Sequence, residues 1–237
     1  MDKHIKIVLL LLLANICISA EIPTSARSEK AIRTVKAELV AQLKRVGLEY
    51  GSPIYIRIFK KSSELELWVK RREAYELFKT YEICAYSGSL GPKTKEGDNQ
   101  APEGFYFVKP GNLNPWSSYH LSFNLGYPNH YERQHGYTGS ALMVHGRCLS
   151  IGCYAMTDRF INEIYAMAQG AFESGQPFFR VHAFPFRLER GVLEKYKSNR
   201  WYSFWQNLKE GYDLFAKHKV PPDVNAKNGR YVFSAGN

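Results

Sequence analysis

Short strand-forming runs, separated by turn-rich segments, fill the middle of this 237-residue chain and constrain its fold more than any other feature. Runs of four to ten residues, rich in β-branched and aromatic side chains and bounded by Gly, Pro, Asn and Ser, are typical of strands joined by loops. The clearest turn-rich segments are 88–104 and 110–118. The strand-like runs are 54–59, 65–69, 75–84, 105–108, 119–125, 141–144 and 178–183.

Three other segments repeat apolar residues at helical spacing. The first, residues 25–47, can be capped by Ser25 or Ser28. The second begins after Thr157, and the third covers 198–219 with an aromatic stripe. We expect that stripe to pack on the body of the protein, with partner binding as the alternative. The chain is therefore predicted to be mainly β, of the α+β class, with helices at both ends.

The N-terminus has the pattern of a secretory signal peptide. Lys3 and Lys6 precede the apolar run 7–14, and small residues lead to Ala20. We expect cleavage after Ala20, the alternative being a retained anchor. Export would place the mature protein where disulfides form. No apolar run reaches the roughly 18 residues that a bilayer span requires.

The chain has a formal net charge of +10. Its basic residues are dispersed, without a block of five like charges. Export argues against a nucleic-acid partner, so the charge indicates an acidic envelope polymer, an anionic surface or simply a solvated face.

The residues that carry chemistry concentrate between His145 and Cys153. An apolar run delivers His145, and Cys153 follows Gly152 shortly before the second helix. A thiol beside a helix N-terminus is favoured as the thiolate, and an imidazole can take and return its proton. The N–H groups of Gly152 and Cys153 are candidate oxyanion donors. The alternative is a buried cysteine and a hydrogen-bonded histidine without a catalytic role.

A metal site is not predicted. His130 and His135 are five residues apart, but no carboxylate or cysteine stands at ligand spacing beside them.

Several motifs in order resemble the L,D-transpeptidase catalytic domain of the YkuD type. His145-Gly146 followed by Ser150-Ile151-Gly152-Cys153 resembles the family signature, and 101–107 resembles its Thr-Pro-x-Gly-x-Phe segment. The wider pattern is similar to the YafK branch of Gram-negative bacteria. It includes the segments 83–88, 120–124 and 152–158.

The resemblance implies a curved β-sheet or β-sandwich catalytic domain with a packed helix. It spans 53–186, after a signal peptide at 1–20 and an N-terminal helical segment at 21–52. A C-terminal helical extension at 187–237 follows.

The resemblance also implies the chemistry. Cys153 would be the nucleophile and His145 the proton acceptor and donor. Ser150 would support the loop. Gly146 would let the substrate approach closely, and Gly152 would help to form the oxyanion site. The substrate would be a peptidoglycan stem peptide, attacked through a thioester at the L-centre carbonyl of meso-diaminopimelate in the periplasm. No cofactor is implied.

Ile151 departs from the family pattern, which usually has a second histidine there. The YafK branch implies hydrolysis of the link between peptidoglycan and an outer-membrane lipoprotein, which we favour. The alternatives are crosslink formation or lipoprotein attachment, a non-catalytic peptidoglycan-binding protein, and an envelope interaction protein.

Of four cysteines, Cys17 lies in the signal segment, which leaves Cys84, Cys148 and Cys153. If Cys153 is the nucleophile, the other two can pair, and we favour that bridge. A Cys148–Cys153 pair and three reduced thiols remain as alternatives.

Overall fold

The computed structural model describes residues 21–236, so the signal peptide expected at 1–20 lies outside the described residues. This part of the chain contains four α-helices and two 3₁₀ turns. The helices are α1 (Ala26–Arg45), α2 (His130–Gln134), α3 (Asp158–Glu173) and α4 (Tyr202–His218), and the turns are Pro110–Asn112 and Leu193–Tyr196.

Twelve strands form two five-stranded sheets and one hairpin within residues 21–236. The strands are β1 (Ile54–Phe59), β2 (Glu64–Arg71), β3 (Ala74–Glu82), β4 (Ala85–Tyr86), β5 (Gly104–Val108), β6 (Leu113–Asn114), β7 (Ser122–Asn124), β8 (Met143–His145), β9 (Tyr154–Ala155), β10 (Phe179–Phe184), β11 (Asp223–Lys227) and β12 (Arg230–Ser234).

The larger sheet has the order β3-β2-β1-β10-β5, with β1 and β10 parallel and the other pairs antiparallel. Its central strand β1 is buried along its whole length and on both faces. Ile54, Ile56 and Ile58 join the main apolar core, which also takes in residues of α1 and α3. On the opposite face the ring of Tyr55 lies 4.7 Å from that of Phe215 in α4. The sheet is therefore covered by helices on both sides.

The second sheet has the order β4-β9-β8-β7-β6, in which only β8 and β9 run parallel. Its Val144 and Tyr154 belong to the main core. The mixture of sheets and helices confirms the predicted α+β class. No helix among residues 21–236 is both long and apolar enough to cross a membrane.

Both terminal helices form where the sequence predicts them. Ser25 is the N-cap of α1, and its hydroxyl accepts the Ser28 N–H. The aromatic stripe of α4 packs against the larger sheet, as expected. The buried residues of this stripe are Phe204, Trp205, Leu208, Tyr212 and Phe215.

The description of 187–237 as a helical extension needs a correction, because β11 and β12 follow α4 as an antiparallel hairpin. Asn228 and Gly229 form its turn with φ of 52° and 69°. An Asn-Gly pair is a strong signal for a two-residue hairpin turn. The flanking strands show little alternation of apolar and polar residues, so the sequence pattern did not predict the hairpin.

Candidate active site

Two parallel strands bring the candidate nucleophile and base to the same cavity. His145 is the last residue of β8 and pairs in register with Ala155 of β9, while Cys153 immediately precedes β9. Both side chains line one cavity of about 600 Å³. The other lining residues are Asn114, Ser117, Ser118, Tyr119, Ala141, Met143, Leu149, Ser150 and Ile151.

The imidazole of His145 is held in one tautomer. Its Nδ1 lies 2.6 Å from the Gly146 carbonyl oxygen, which can only accept, so Nδ1 carries the proton and Nε2 is left as an acceptor. The ring centroid of Tyr119 lies 4.7 Å from that of His145. Burial lowers the pKa of His145, and the hydrogen bond to Gly146 offsets part of that effect. The ring is therefore a neutral base at neutral pH.

Cys153 is a free, half-buried thiol. The Met143 N–H donates to Sγ at 3.4 Å, and the S–H is directed at the Ala141 carbonyl at 3.8 Å. Burial raises the pKa of Cys153, while the Met143 N–H and the charge of Lys93 lower it in part. The resting pair is thus a neutral thiol and a neutral imidazole.

The sequence predicted that the Cys153 thiol lies beside a helix N-terminus, and that prediction is wrong. Strand β9 and the N-cap Thr157 separate Cys153 from α3, which begins only at Asp158. The apolar residues after the cysteine do not reveal a two-residue strand, because a segment that short has no periodicity of its own. The backbone donor that contacts the thiol comes from Met143 instead.

The loop before Cys153 is organised by Ser150. Its hydroxyl donates to the Cys153 carbonyl at 2.7 Å and accepts the Gly152 N–H at 3.2 Å. The Gly152 N–H is therefore engaged with Ser150, whereas the structure records no acceptor within residues 21–236 for the Cys153 N–H. Gly152 has a φ of 140°, a conformation that favours glycine.

Position 146 has no room for a side chain, because helix α3 packs closely against it. A Cβ at this position would lie 2.6 Å from Asp158 Oδ1 and 3.1 Å from Ile161 Cγ2. The same Asp158 oxygen accepts the Arg147 N–H at 2.8 Å. This close packing gives a reason for the glycine that does not depend on a substrate.

The predicted Cys84–Cys148 bridge is confirmed, with Cα atoms 5.2 Å apart and Cys153 left free. The bridge ties the residue before β4 to the loop between His145 and Cys153. In that loop Arg147 and Cys148 both have positive φ, of 65° and 56°. Non-glycine residues rarely adopt this conformation, so the bridge helps to hold an otherwise unfavourable backbone.

The other histidines among residues 21–236 do not line the cavity. His182 is buried against Tyr55, with Nδ1 2.7 Å from the phenolic oxygen, and His120 contacts Asn162. His130 lies 3.2 Å from Asn225, and His135 contacts the Gly229 carbonyl. Among residues 21–236 no three His, Cys, Asp or Glu side chains are grouped to hold a metal ion.

Sequence reasoning missed two residues that influence the pair. Tyr119 covers His145, and the nearly buried Lys93 lowers the pKa of Cys153 while its Nζ is 2.5 Å from Asp98 Oδ1. Both lie in loops far from the signature in sequence, and no local pattern signals either contact.

Comparison with known proteins identifies a family. The sequence model of one protein family, the L,D-transpeptidase catalytic domain (YkuD), matches residues 53–178. YafK of Escherichia coli, provisionally named an L,D-transpeptidase, is 49% identical over 184 residues, which are 78% of this chain and 75% of that protein.

Two solved structures are more distant. The helical cell shape determining protein Pgp2 of Campylobacter jejuni is 17% identical, with a TM-score of 0.46 over 80% of each chain. Bd1075 of Bdellovibrio bacteriovorus is 19% identical, with a TM-score of 0.41 over 75% of this chain and 78% of that one.

Proposed function

The chain belongs to the L,D-transpeptidase catalytic domain family, and we propose that it uses Cys153 and His145 to cleave an amide at meso-diaminopimelate in peptidoglycan stem peptides. Family membership makes it an L,D-transpeptidase-type enzyme with peptidoglycan as its substrate. The observation that carries the finer proposal is the free thiol of Cys153 in one cavity with a single-tautomer imidazole.

The first half-reaction follows from the neutral pair. As Cys153 Sγ attacks the carbonyl carbon at the L-centre, His145 Nε2 accepts the S–H proton. The oxyanion forms beside the Cys153 N–H, the donor at this point that lacks an acceptor. The C–N bond then breaks, the leaving amine takes the proton from His145, and a thioester remains on Cys153.

The second half-reaction needs a nucleophile that His145 can deprotonate. Water attacking the thioester would give a free carboxylate and restore the thiol. An amine would give a new amide instead. In either case the proton passes through the same imidazole, because His145 is the one histidine among the residues that line the cavity.

The cavity wall favours water as that nucleophile. Leu149 and Ile151 are 68% and 79% exposed there, and among residues 21–236 no carboxylate lines the cavity to bind an incoming ammonium group. An amine acceptor arrives charged and must be bound and neutralised, whereas water needs neither step. We therefore favour hydrolysis of the amide that links diaminopimelate to a lipoprotein, rather than synthesis of crosslinks.

Supporting roles go to the loop residues. Ser150 hydrogen-bonds to the Gly152 N–H and to the Cys153 carbonyl, on either side of the Cys153 N–H, and would thereby hold that proposed oxyanion donor in place. Gly146 lets the loop after β8 lie close to α3.

We place this chemistry in the periplasm, where the signal segment would deliver the chain. N-terminal sequencing of protein from the exporting cell tests that location, and a mature N-terminus at residue 21 is the expected result.

The decisive experiment uses pure protein, lipoprotein-linked sacculi and free tetrapeptide muropeptides, with products identified by mass spectrometry. We expect release of lipoprotein from sacculi with Cys153 intact and no release with Cys153→Ala. Activity that survives this substitution overturns the mechanism. Crosslinked dimers without lipoprotein release would instead identify a transpeptidase, and binding of sacculi without turnover would identify a non-catalytic protein. Iodoacetamide labelling at Cys153 separates an accessible nucleophile from a merely buried thiol.

A further inference from the structure

We propose that Arg27, in the helix that precedes the matched domain, is a positioning residue. It holds the loop 115–121 and thereby keeps Tyr119 against the imidazole of His145. This assignment makes α1 part of the active-site architecture, although it lies outside the residues 53–178 that match the family.

The first step is the contact between α1 and the loop. A single nitrogen of Arg27, Nη1, donates to the carbonyl oxygens of Ser117 at 2.7 Å and His120 at 2.9 Å. The hydroxyl of Ser25 donates to the Pro115 carbonyl at 3.1 Å. The guanidinium bridges two carbonyls three residues apart, so it fixes the curvature of the loop. Hydrogen bonds from a charged donor are stronger than neutral ones.

The second step is the backbone that Arg27 holds. His120 has a φ of 71°, which is uncommon for a residue with a Cβ. Such a conformation persists only where its surroundings hold it in place. Arg27 donates to the His120 carbonyl oxygen. The Nε2 atom of His120 lies 2.7 Å from Oδ1 of Asn162 in α3. The loop is thus held from α1 on one side and from α3 on the other.

The third step leads from the loop to the proposed base. The Gly146 N–H is shared between the carbonyls of Tyr119 at 3.0 Å and Leu121 at 3.2 Å. The ring of Tyr119 lies 4.7 Å from His145, the residue before Gly146. Tyr119 also lines the cavity that contains Cys153. The loop that Arg27 fixes is therefore one wall of the cavity and the cover of the imidazole.

The consequence is chemical as well as structural. A ring covered by Tyr119 is less hydrated, so its neutral form is favoured and its orientation is restricted. Besides His145, the titratable groups that line the cavity are Tyr119 and Cys153, and Asp158 of α3 is engaged with the Arg147 N–H. Release of the loop would withdraw Tyr119 and expose the His145 ring to water without altering Cys153 or Asp158.

The test compares Arg27→Ala with Arg33→Ala. Both remove one charge from the exposed surface of α1, but within residues 21–236 the ion pair of Arg33 is with Glu29 on its own helix. In Arg27→Ala we expect the Gly146 amide to exchange about tenfold faster, as loss of a charged hydrogen bond predicts. We also expect the pKa of His145, followed by NMR, to rise toward its ordinary value. Arg33→Ala should change neither quantity.

Activity adds a readout that rests on the proposed function. For release of stem-peptide products we expect kcat to fall more than KM rises in Arg27→Ala, with partial recovery in Arg27→Lys or on addition of millimolar guanidinium. Unchanged Gly146 exchange and an unchanged His145 titration in Arg27→Ala would overturn the positioning role, whatever the substrate. If both quantities shift as expected while even the unaltered protein releases no product, the proposed function fails and the positioning role stands.

Discussion

The disulfide between Cys84 and Cys148 closes 64 residues of sequence and ends in the short loop that separates His145 from Cys153. Cys84 lies between β3 of the larger sheet and β4 of the second sheet, directly before β4, and its N–H donates to the Ala155 carbonyl of β9 at 2.9 Å. The bridge therefore connects the two sheets at the point where the candidate nucleophile is held. Its effects on stability and on the site can be separated by experiment.

We predict that the double substitution Cys84→Ser/Cys148→Ser lowers the free energy of unfolding by about 4 kcal/mol. A cross-link that closes about 64 residues removes that much chain entropy from the unfolded state. Urea unfolding of the oxidised protein, the reduced protein and the double variant measures the effect. Equal stability in all three would mean that the bridge contributes nothing to the folded state.

A second prediction concerns the ionisation of the resting pair. Since burial raises the pKa of Cys153, the rate of iodoacetamide alkylation should increase with pH through a midpoint above that of a free cysteine titrated in parallel. Since burial lowers the pKa of His145, the acid limb of the activity profile should lie below the ordinary histidine value. A thiolate–imidazolium ion pair would instead give rapid alkylation at neutral pH, and that result would contradict the neutral pair.

Much of this architecture follows from local sequence signals. Ile54–Phe59 is a run of isoleucine and aromatic residues interrupted by Arg57, with turn residues nearby on both sides, and it forms β1 over those same residues. Ser25 caps α1, and Thr157 caps α3, because their side-chain oxygens accept N–H groups of the first turn. These elements are predictable because the interactions that define them lie within a few residues of one another.

The parts that sequence could not provide depend on contacts between distant segments. The His145–Gly146 and Gly152–Cys153 motifs indicate the candidate site residues, but not that β8 and β9 lie parallel. Tyr119 reaches His145 only because its loop is tied to two helices far away in sequence. The hydrogen bond from Gly152 to Ser150 likewise depends on loop geometry that no spacing rule supplies.

A third prediction concerns Glu132, a carboxyl group that is 1% exposed. Tyr106 donates to its Oε1 at 2.5 Å, and the Asn129 N–H donates to Oε2 at 2.6 Å. Burial raises the pKa of Glu132 from 4.5 to about 7, although both hydrogen bonds oppose that rise. The protonated form is therefore the one that the fold favours.

The sign of the pH effect follows from that shift. The contribution of Glu132 to stability is fully present below pH 4.5 and is lost as the pH rises through about 7. At 1.36 kcal/mol for each pH unit, the loss amounts to about 3 kcal/mol. Urea unfolding between pH 4 and 8 should show this loss in the unaltered protein and a flatter profile in Glu132→Gln. The exposed Glu189→Gln is the matched control and should keep the original slope.

The last prediction concerns the buried ion pair of Lys60 and Glu103, both fully enclosed, with Nζ and Oε1 3.2 Å apart. Lys60 also donates to three carbonyls, those of Ser89, Gly91 and Ala101. Glu103 accepts the Gly91 N–H at 2.7 Å and the indole N–H of Trp205 in α4 at 2.8 Å. The pair therefore ties the loop before β5 to β1 and to the C-terminal helix.

Removal of one charge from this pair leaves the other buried without its counter-charge. We predict that Lys60→Met lowers the free energy of unfolding by about 3–5 kcal/mol, the usual cost of an uncompensated buried charge. The exposed neighbour Lys61→Met should change it by less than about 1 kcal/mol. Lys60→Met/Glu103→Gln should recover part of the loss, because the second substitution removes the unpaired carboxylate while an amide can still accept from Trp205. A double variant no more stable than Lys60→Met would show that the hydrogen bonds of Lys60 to the loop, rather than its charge, hold this region together.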